Sequence, residues 1–359
     1  MLEYLDWRGD LSFDQSPLCP IDFLIFATLA YCPMENLKLP FQEETLTSLE
    51  ARLYPAQPVH ENELGRLRCE LWHKAALCPR FSGVRLSAFV SHFDAAQEKQ
   101  FAAALFHTAS GADILAYRGT DATLVGWKED FNLAFESPIP AQRDGVEMLN
   151  QSAARKFPLY VCGHSKGGNL ALYAAAHCLP TVRQALLGVY SFDGPGLDDA
   201  TGNSAEYAQL SSRIHSYVPE SSIVGMLLDY HDQYTIIDSD GVSIWQHNPF
   251  LWHVKGPGFV TKNELTRSGR YTDRTLHDFL AACSPQERRI LVDTIFDVIN
   301  ATGATRLREI PGGIARNLSG VLAKLKNVSP ENRAVLLKIL KALGESGGNH
   351  LELLLGREE

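Results

Sequence analysis

The chain has 359 residues, of which 45% are apolar and 21% are charged, and its formal net charge is −9. This composition is that of a globular protein with a sizeable core, long enough for one large domain with additions or for a few smaller domains. The excess of acidic side chains argues against a general nucleic-acid binder, because attraction to phosphates requires Lys and Arg in excess.

The sequence lacks the features that place a protein in a membrane or in a secretory pathway. No apolar run approaches the length of about 18 residues that a membrane-spanning helix needs. The N-terminus has no basic region followed by an apolar stretch, so it does not resemble a signal peptide. Seven cysteines without CxxC pairs are typical of free thiols. We therefore expect a cytoplasmic protein without a transmembrane segment.

Residues 1–95 are predicted to form a mostly helical N-terminal segment that packs on a core domain. An apolar run covers residues 22–31, and prolines divide this part of the chain into short pieces. Residues 64–77 carry apolar side chains at helical spacing.

The pattern changes near residue 96 and predicts a core domain over residues 96–262. Apolar runs at 100–107 and 113–118, separated by turn residues, predict two adjacent strands. Strand and helix patterns then alternate, with helices expected at 141–156 and 166–178 and strands at 159–162, 185–192, 213–218, 233–237 and 242–245. Such alternation predicts an α/β fold whose mainly parallel sheet is covered by helices on both faces.

Residues 263–359 are predicted to form a helical C-terminal extension. Amphipathic patterns begin near Thr272 and Ser284, and a further one begins at Ser329. At the second start, Ser284 is a candidate N-cap, followed by Pro285 and Glu287. The helical ends could serve a homo-oligomer or another partner.

The segment with the clearest chemistry is Gly163, His164, Ser165, Lys166 and Gly167, which fits G-x-S-x-G between a predicted strand and a predicted helix. This pattern is typical of a nucleophile elbow, in which a tight turn exposes the serine hydroxyl. The glycines let the strand and the helix approach each other closely. The helix N-terminus favours developing negative charge, and the backbone N–H of Lys166 would donate to an oxyanion.

A second oxyanion donor is expected at the end of an earlier strand. Residues 114–117 are apolar and precede Arg118, Gly119 and Thr120. Thr120 could offer both its backbone N–H and its hydroxyl to a tetrahedral intermediate. An ordinary turn at the end of the strand is the alternative.

Three segments together resemble the class 3, fungal-type triacylglycerol lipases, which have the α/β-hydrolase fold. They are residues 116–120, the elbow, and residues 190–196, which end in a Gly-Pro turn. The resemblance implies that His247, five residues before Trp252, is the catalytic histidine. The whole chain also resembles a lipase-like family from gut Firmicutes.

Two positions depart from the lipase pattern. Lys166 replaces the usual leucine, so its side chain would bring a positive charge near the elbow or extend away from it. Ser222 stands where the lipases have their catalytic aspartate. The acid must therefore lie elsewhere or be absent.

The chain order Ser, acid, His makes Asp193 the favoured candidate for the acid, since it ends the strand that follows the elbow helix. A plain turn role for Asp193 is the alternative, and Glu220 and Asp229 are rival acids. His253 is the main rival of His247, and His164 is expected to pack beside the nucleophile.

Residues 123–135 lie where lipases carry a lid, and their aromatic side chains could cover an acyl site. An amphipathic helix on the core explains the same pattern equally well.

These observations predict a serine acyl hydrolase, a carboxylesterase or lipase-like enzyme, that acts on a small-molecule or lipid ester through Ser165, Asp193 and His247. It needs no metal or cofactor. A catalytically silent binding or scaffold protein with the same fold, and an acyltransferase or thioesterase, are the alternatives.

Overall fold

The computed structural model describes residues 1–37, 43–54, 63–121, 123–228, 234–241 and 243–300. Asp229, residue 242 and the helix predicted from Ser329 lie outside these residues. The helices are α1 Leu2–Arg8, α2 Pro20–Leu29, α3 Leu46–Leu53, α4 Glu63–Leu77, α5 Pro79–Ser82, α6 Leu124–Asn132, α7 Pro140–Ser152, α8 Lys166–His177, α9 Pro180–Ala185, α10 Asp199–Gly202, α11 Ala205–Ala208, α12 Arg267–Ala282 and α13 Pro285–Asn300.

The strands form one large sheet and a small two-stranded ribbon within the described ranges. They are β1 Glu44–Thr45, β2 Arg85–Asp94, β3 Lys99–His107, β4 Asp113–Tyr117, β5 Leu159–His164, β6 Leu186–Phe192, β7 Ile214–Pro219, β8 Tyr234–Ile237, β9 Val254–Lys255, β10 Gly258–Phe259 and β11 Thr261–Lys262.

The large sheet has the order β1-β2-β3-β4-β5-β6-β7-β8-β11. Its central strands β4 to β8 are parallel, and antiparallel pairs extend it at both edges. The parallel strands alternate with helices, as in other sheets that are covered on both faces. The predicted α/β architecture is therefore confirmed.

The register of the parallel strands brings their carboxyl ends together at one edge. Tyr117 of β4 lies beside Gly163 of β5, and His164 at the end of β5 lies beside Phe192 at the end of β6. Ligand sites of open parallel sheets lie outside this edge. The turns that follow β4, β5 and β6 are therefore neighbours in space.

Each face of the sheet is covered by its own helices, because successive side chains of a strand point to opposite faces. Ile114 and Ala116 of β4 pack with α2 in one core, and Leu115 and Tyr117 pack with α7 and α8 in the other. Helix α2 is buried on nearly every side, which explains why its sequence is apolar apart from Asp22 and Thr28 and shows no helical periodicity.

The N-terminal residues are more closely joined to the sheet than a separate helical segment would be. Strand β2 lies before residue 95 and pairs along its whole length with β3. The boundaries proposed at 95/96 and 262/263 stay predictions, although the sheet already includes residues on the N-terminal side of the first one.

The strand predicted at 242–245 is wrong for its described residues, which belong to a 3₁₀ helix, Ser243–His247. The backbone of this segment bonds within the 3₁₀ helix and not to a neighbouring strand. For example, the backbone N–H of Asn248 donates to the Trp245 carbonyl. The Gln246 side chain accepts from Ser221 N at 2.6 Å and donates to Gly241 O at 3.0 Å. The contact with Ser221, 25 residues away in the chain, cannot be read from a local apolar pattern.

Helix α13 begins as the sequence predicts. The Ser284 hydroxyl accepts from Glu287 N at 3.3 Å, and the Glu287 carboxylate accepts from Ser284 N at 2.8 Å. This reciprocal pair is a capping box. Val292 and Phe296 of α13 pack on Leu124 of α6. Among the described helices, none is long and apolar enough to cross a membrane.

Candidate active site

Ser165 occupies a strained turn between β5 and α8. Its φ and ψ are 61° and −136°, a region that residues with side chains rarely adopt. The turn is tight, since a Cβ atom at Gly163 would lie 2.0 Å from the Gly167 carbonyl oxygen. Only glycine allows this approach of strand and helix. The conformation is that of a nucleophile elbow.

The helix that follows supplies an anion-stabilising end. Lys166 is the first residue of α8, so its backbone N–H has no acceptor within the helix. The positive end of the helix dipole lies at the same point. This N–H is suited to the oxyanion role that the sequence predicts for Lys166.

Thr120 is brought to the elbow by a close approach at Gly119. A Cβ atom at Gly119 would lie 2.6 Å from the His164 carbonyl oxygen and 3.0 Å from Cβ of Ser165. The Thr120 hydroxyl donates a hydrogen bond to the Asp130 carboxylate. Burial raises the pKa of Asp130 to about 6, although Lys166 and Thr120 oppose the shift. The only hydroxyl hydrogen of Thr120 is thus donated to Asp130, which leaves the backbone N–H of Thr120, and not its hydroxyl, as the candidate oxyanion donor.

Asp193 and His247 form a hydrogen-bonded pair at the same edge of the sheet. Asp193 follows β6, is completely buried, and accepts from Nδ1 of His247 at 2.6 Å. Its other carboxylate oxygen accepts from the Ser222 hydroxyl. A proton on Nδ1 leaves Nε2 of His247 as the basic nitrogen.

The position of His247 is supported by residues on both sides of it. Trp252 donates from its indole nitrogen to the Gln246 carbonyl at 2.7 Å, and the Trp252 side chain is buried. The His247 carbonyl lies 2.9 Å from Nε2 of His164, which donates to it. Trp252, five residues after His247, therefore holds the backbone next to His247 in place through this hydrogen bond.

His164 lies beside the nucleophile, as expected, and bonds to its surroundings as a neutral ring. Tyr31 donates its hydroxyl hydrogen to the His164 carbonyl at 3.1 Å, and the same hydroxyl lies 3.3 Å from Nδ1. Burial, reinforced by nearby His247, lowers the pKa of His164 well below its ordinary value of 6.5. The ring therefore resists protonation in the folded protein.

We expect the free energy of unfolding to decrease as the pH falls below about 6.5, by up to about 1.4 kcal/mol per pH unit from His164 alone. The unfolded chain then binds a proton at His164 that the folded chain excludes. Urea unfolding between pH 5 and 8 measures this slope. His164→Gln should flatten it, whereas exposed His73→Gln should not; equal slopes in wild type and His164→Gln would contradict the assignment.

The Lys166 side chain does not extend to solvent, which was one of the two alternatives drawn from the sequence; its charge stays inside the protein. It is buried, and Nζ donates to the Glu129 carboxylate at 2.8 Å and to the Gln100 carbonyl at 2.9 Å. Glu129 is also fully buried. The charge is therefore neutralised inside the protein.

The same carboxylate anchors α6 to its neighbours. Glu129 accepts from the backbone N–H groups of Gln100 and Ala141, each at 3.0 Å. On the outer side of the helix, Lys128 pairs with Glu98 at 2.7 Å and with Asp293 of α13 at 2.9 Å. Residues 124–132 therefore form a helix that its buried carboxylate anchors to the core. Trp127 and Phe131 of the same segment line the cavity, so its role as a lid stays a prediction.

Lys166→Met should reduce the free energy of unfolding by about 3–5 kcal/mol, because Glu129 would remain buried without a counter-ion. The double variant Lys166→Met/Glu129→Gln should recover part of this loss. Lys128→Met, which removes two ion pairs that are more exposed, should cost about 1 kcal/mol or less. Urea unfolding of the three variants tests the order, and an equal cost for Lys166→Met and Lys128→Met would show that the buried pair is not required.

The rival site residues lie elsewhere or outside the described chain. His253 is bonded to Asp238 and Asp240, both at 2.9 Å, and these carboxylates raise its pKa. Glu220 lies 3.8 Å from Lys262. Neither His253 nor Glu220 lines the cavity that Ser165 and His247 share. Asp229 is outside the described residues.

Ser165 and His247 open onto a cavity of about 480 Å³ with mainly apolar walls. Its lining includes Tyr31, Arg68, Thr120, Trp127, Asp130, Phe131, Leu133, Val224, Leu227, Leu228, Trp245, Pro249, Phe250 and Leu280. Trp245 and Phe131 are also exposed to solvent. The part of the chain that the structure describes contains no cluster of His, Cys, Asp and Glu that could hold a metal ion.

Sequence reasoning missed the residues that other parts of the chain contribute to this cavity. Tyr31 and Arg68 come from the N-terminal helical region and line the cavity, whereas Glu129 lies outside the lining and pairs with Lys166 of the elbow. The mostly apolar run before Tyr31 was the available signal for a helix next to the sheet. No comparable signal marked Arg68 or Glu129.

The sheet order, the helices on both faces and the elbow at the end of β5 define a lipase-like α/β-hydrolase fold. A family model described as Mbeg1-like matches residues 75–297, and the chain belongs to that family. No curated protein is significantly similar to the chain. Membership of the class 3 group and an origin in gut Firmicutes stay predictions.

Several solved structures are distantly similar to the chain. Lipase II from Rhizopus niveus has 13% identity and a TM-score of 0.37, with 61% of this chain and 79% of that chain covered. A Rhizomucor miehei lipase–propeptide complex has 16% identity and a TM-score of 0.37, with coverage of 62% and 68%. A structure described as a fungal lipase has 12% identity and a TM-score of 0.42, with coverage of 69% and 88%. Structural similarity with such low sequence identities and TM-scores supports no conclusion about function.

Proposed function

We propose that this protein is a serine acyl hydrolase that cleaves a carboxylic ester through an acyl-Ser165 intermediate. The observation that carries the proposal is that strained Ser165 lines one apolar cavity together with His247, which is hydrogen-bonded to buried Asp193. Strain of this kind persists where the surrounding structure enforces it, and it clusters at functional sites.

The proposed reaction begins with attack of the Ser165 hydroxyl on the ester carbonyl, while Nε2 of His247 takes the proton. The backbone N–H of Lys166 and Thr120 stabilise the tetrahedral oxyanion. His247 then protonates the leaving alcohol. Water activated by the same nitrogen hydrolyses the acyl-enzyme, and Ser165 regains its proton.

Asp193 has the role of the triad acid in this proposal. It holds His247 with the proton on Nδ1 and stabilises the imidazolium that forms during each step. The Ser222 hydroxyl bonds to the other oxygen of Asp193, so the serine that replaces the lipase aspartate supports the carboxylate. The hydrogen bond of Asp193 to His247 counts against a catalytically silent scaffold, because it supplies a carboxylate although position 222 has none.

The cavity favours an ester with an apolar acyl group, because its walls are mainly aliphatic and aromatic. Carboxylesterase and lipase-like activities both fit this description. An acyltransferase or thioesterase would use the same acyl-enzyme with a different acceptor or leaving group, so these activities remain the alternatives to test.

The direct test is turnover of p-nitrophenyl esters from acetate to palmitate by the purified full chain. We expect hydrolysis of at least the short and medium chains, with loss of activity in the Ser165→Ala variant. Addition of thiol esters and of alcohol acceptors separates the alternatives. Absence of turnover of every ester by a folded wild type would contradict the proposed function.

A further inference from the structure

Arg68 brings a positive charge to the wall of the active-site cavity. Arg68 lies on α4 and lines the cavity together with Ser165 and His164. The remaining walls are mainly apolar. A guanidinium group in such a setting is unusual, because charged groups in apolar sites are normally paired.

The other charged groups of the cavity wall have partners. Lys166 pairs with Glu129, and Asp130 accepts from Thr120 and lies 3.7 Å from Lys166 Nζ. In the described part of the chain, no carboxylate lies within ion-pair distance of Arg68. The guanidinium instead lies over the Tyr31 ring, at 4.3 Å from its centroid.

A neighbour on the same helix shows the ordinary arrangement. Arg66 is exposed and pairs with Glu70 one turn later, at 3.4 Å. Arg68, in contrast, is mostly buried, and burial lowers its pKa because its cationic form loses hydration. Nearby Arg118 adds to this effect. An anion that entered the cavity would offset this cost.

Tyr31 connects Arg68 to the nucleophile elbow. The Arg68 guanidinium contacts the Tyr31 ring, and the Tyr31 hydroxyl donates to the carbonyl of His164, the residue before Ser165. An ester whose carbonyl is at Ser165 could therefore place another group of the same molecule at Arg68.

We propose that Arg68 binds an anionic group of the ester substrate, a carboxylate or a phosphate, so that the site prefers anionic amphiphilic esters to neutral ones. The inference rests on the proposed function for its chemistry. The planar guanidinium can donate two parallel hydrogen bonds to either anion, and such charge-assisted bonds are stronger than neutral ones. The apolar walls then hold the rest of the acyl chain.

The first test compares matched substrates: mono-p-nitrophenyl azelate with p-nitrophenyl octanoate, and octanoyl-glycerol phosphate with octanoylglycerol. Arg68→Met keeps the apolar stem of the side chain and removes its charge. We expect the anionic-to-neutral ratio of kcat/KM to fall about 10- to 100-fold in this variant, the range for a charge-assisted hydrogen bond. Arg68→Lys should lie between wild type and Arg68→Met.

Arg66→Met is the matched control, since it removes the same charge from the same helix outside the cavity. Its ratio should stay near that of wild type. A change below about threefold in Arg68→Met, or an equal fall in Arg66→Met, would overturn the proposal. Thermal unfolding by circular dichroism confirms that each variant is folded.

A binding experiment separates this inference from the proposed function. Calorimetric titration of Ser165→Ala with octyl phosphate, octanoate and octanol requires no turnover. We expect Ser165→Ala to bind at least one of the two anions more tightly than octanol, and the double variant Ser165→Ala/Arg68→Met to lose this difference. That result would support the inference even if the protein hydrolysed none of the esters. The anion that binds more tightly shows whether Arg68 recognises a phosphate or a carboxylate. Equal affinity for all three ligands would overturn the inference.

Discussion

Replacing Ser165 with Ala is expected to lower kcat/KM for ester hydrolysis by about 10³- to 10⁶-fold while leaving the chain folded. The hydroxyl is the attacking atom in the proposed reaction, and loss of the nucleophile in serine hydrolases leaves only the contribution of oxyanion stabilisation and binding. Alanine retains a Cβ atom, so the backbone constraints at the elbow do not change. Initial rates with a medium-chain p-nitrophenyl ester measure the effect.

Ser110→Ala is the control for this substitution. Ser110 lies in the exposed turn between β3 and β4, away from the cavity. Its variant should keep wild-type rates. A Ser165→Ala protein that retained more than about a tenth of the activity would show that another group is the nucleophile.

Asp193→Asn should produce the second-largest effect, a decrease in kcat of about 10⁴-fold, the scale seen for the same change in other triads. An amide at this position presents a donor to Nδ1 of His247, which favours the wrong tautomer. The Ser222 hydroxyl would keep a bond to the amide oxygen, so the geometry of the turn should persist. Pre-steady-state and steady-state rates at neutral pH check this prediction.

Asp238→Asn is the matched control, because Asp238 bonds to the rival histidine, His253, in the same way. We expect little change in kcat from this variant. A large loss in Asp238→Asn with little loss in Asp193→Asn would move the catalytic pair to His253. Circular dichroism establishes that a loss does not come from unfolding.

The parts of the fold that sequence could predict are those with strong local patterns. The strands at 100–107 and 159–162 and the helix at 166–178 agree with β3, β5 and α8 to within one or two residues. Their patterns are local: apolar runs, turn residues between strands, and an alanine-rich helix start. Because Asp193 and Ser165 both end parallel strands, chain order alone placed them at one edge of the sheet.

Contacts between distant segments could not be predicted in this way. The Lys166–Glu129 pair joins residues 37 positions apart in the chain, and the Tyr31–His164 hydrogen bond joins residues 133 positions apart. Nothing near Lys166 marks it as buried, since lysine is normally at the surface. The contacts by which Glu129 anchors the helix within residues 123–135 are likewise visible only in the tertiary structure.

The Ser222 contact shows how a departure from a family pattern acquires a physical meaning. In sequence, serine at this position indicated a missing acid. In the structure, its hydroxyl bonds to the carboxylate of Asp193, which in turn bonds to His247. The residue that in sequence indicated a missing acid therefore donates a hydrogen bond to the buried carboxylate that is proposed as the acid.

The most direct test of the central claim, that Ser165 is an activated nucleophile, is labelling of the purified full chain with a fluorophosphonate probe. The account predicts a single covalent adduct on wild type, mapped to Ser165 by mass spectrometry, absent in Ser165→Ala and much slower in His247→Ala. Failure of a folded wild type to react, or an adduct on another residue, would contradict it.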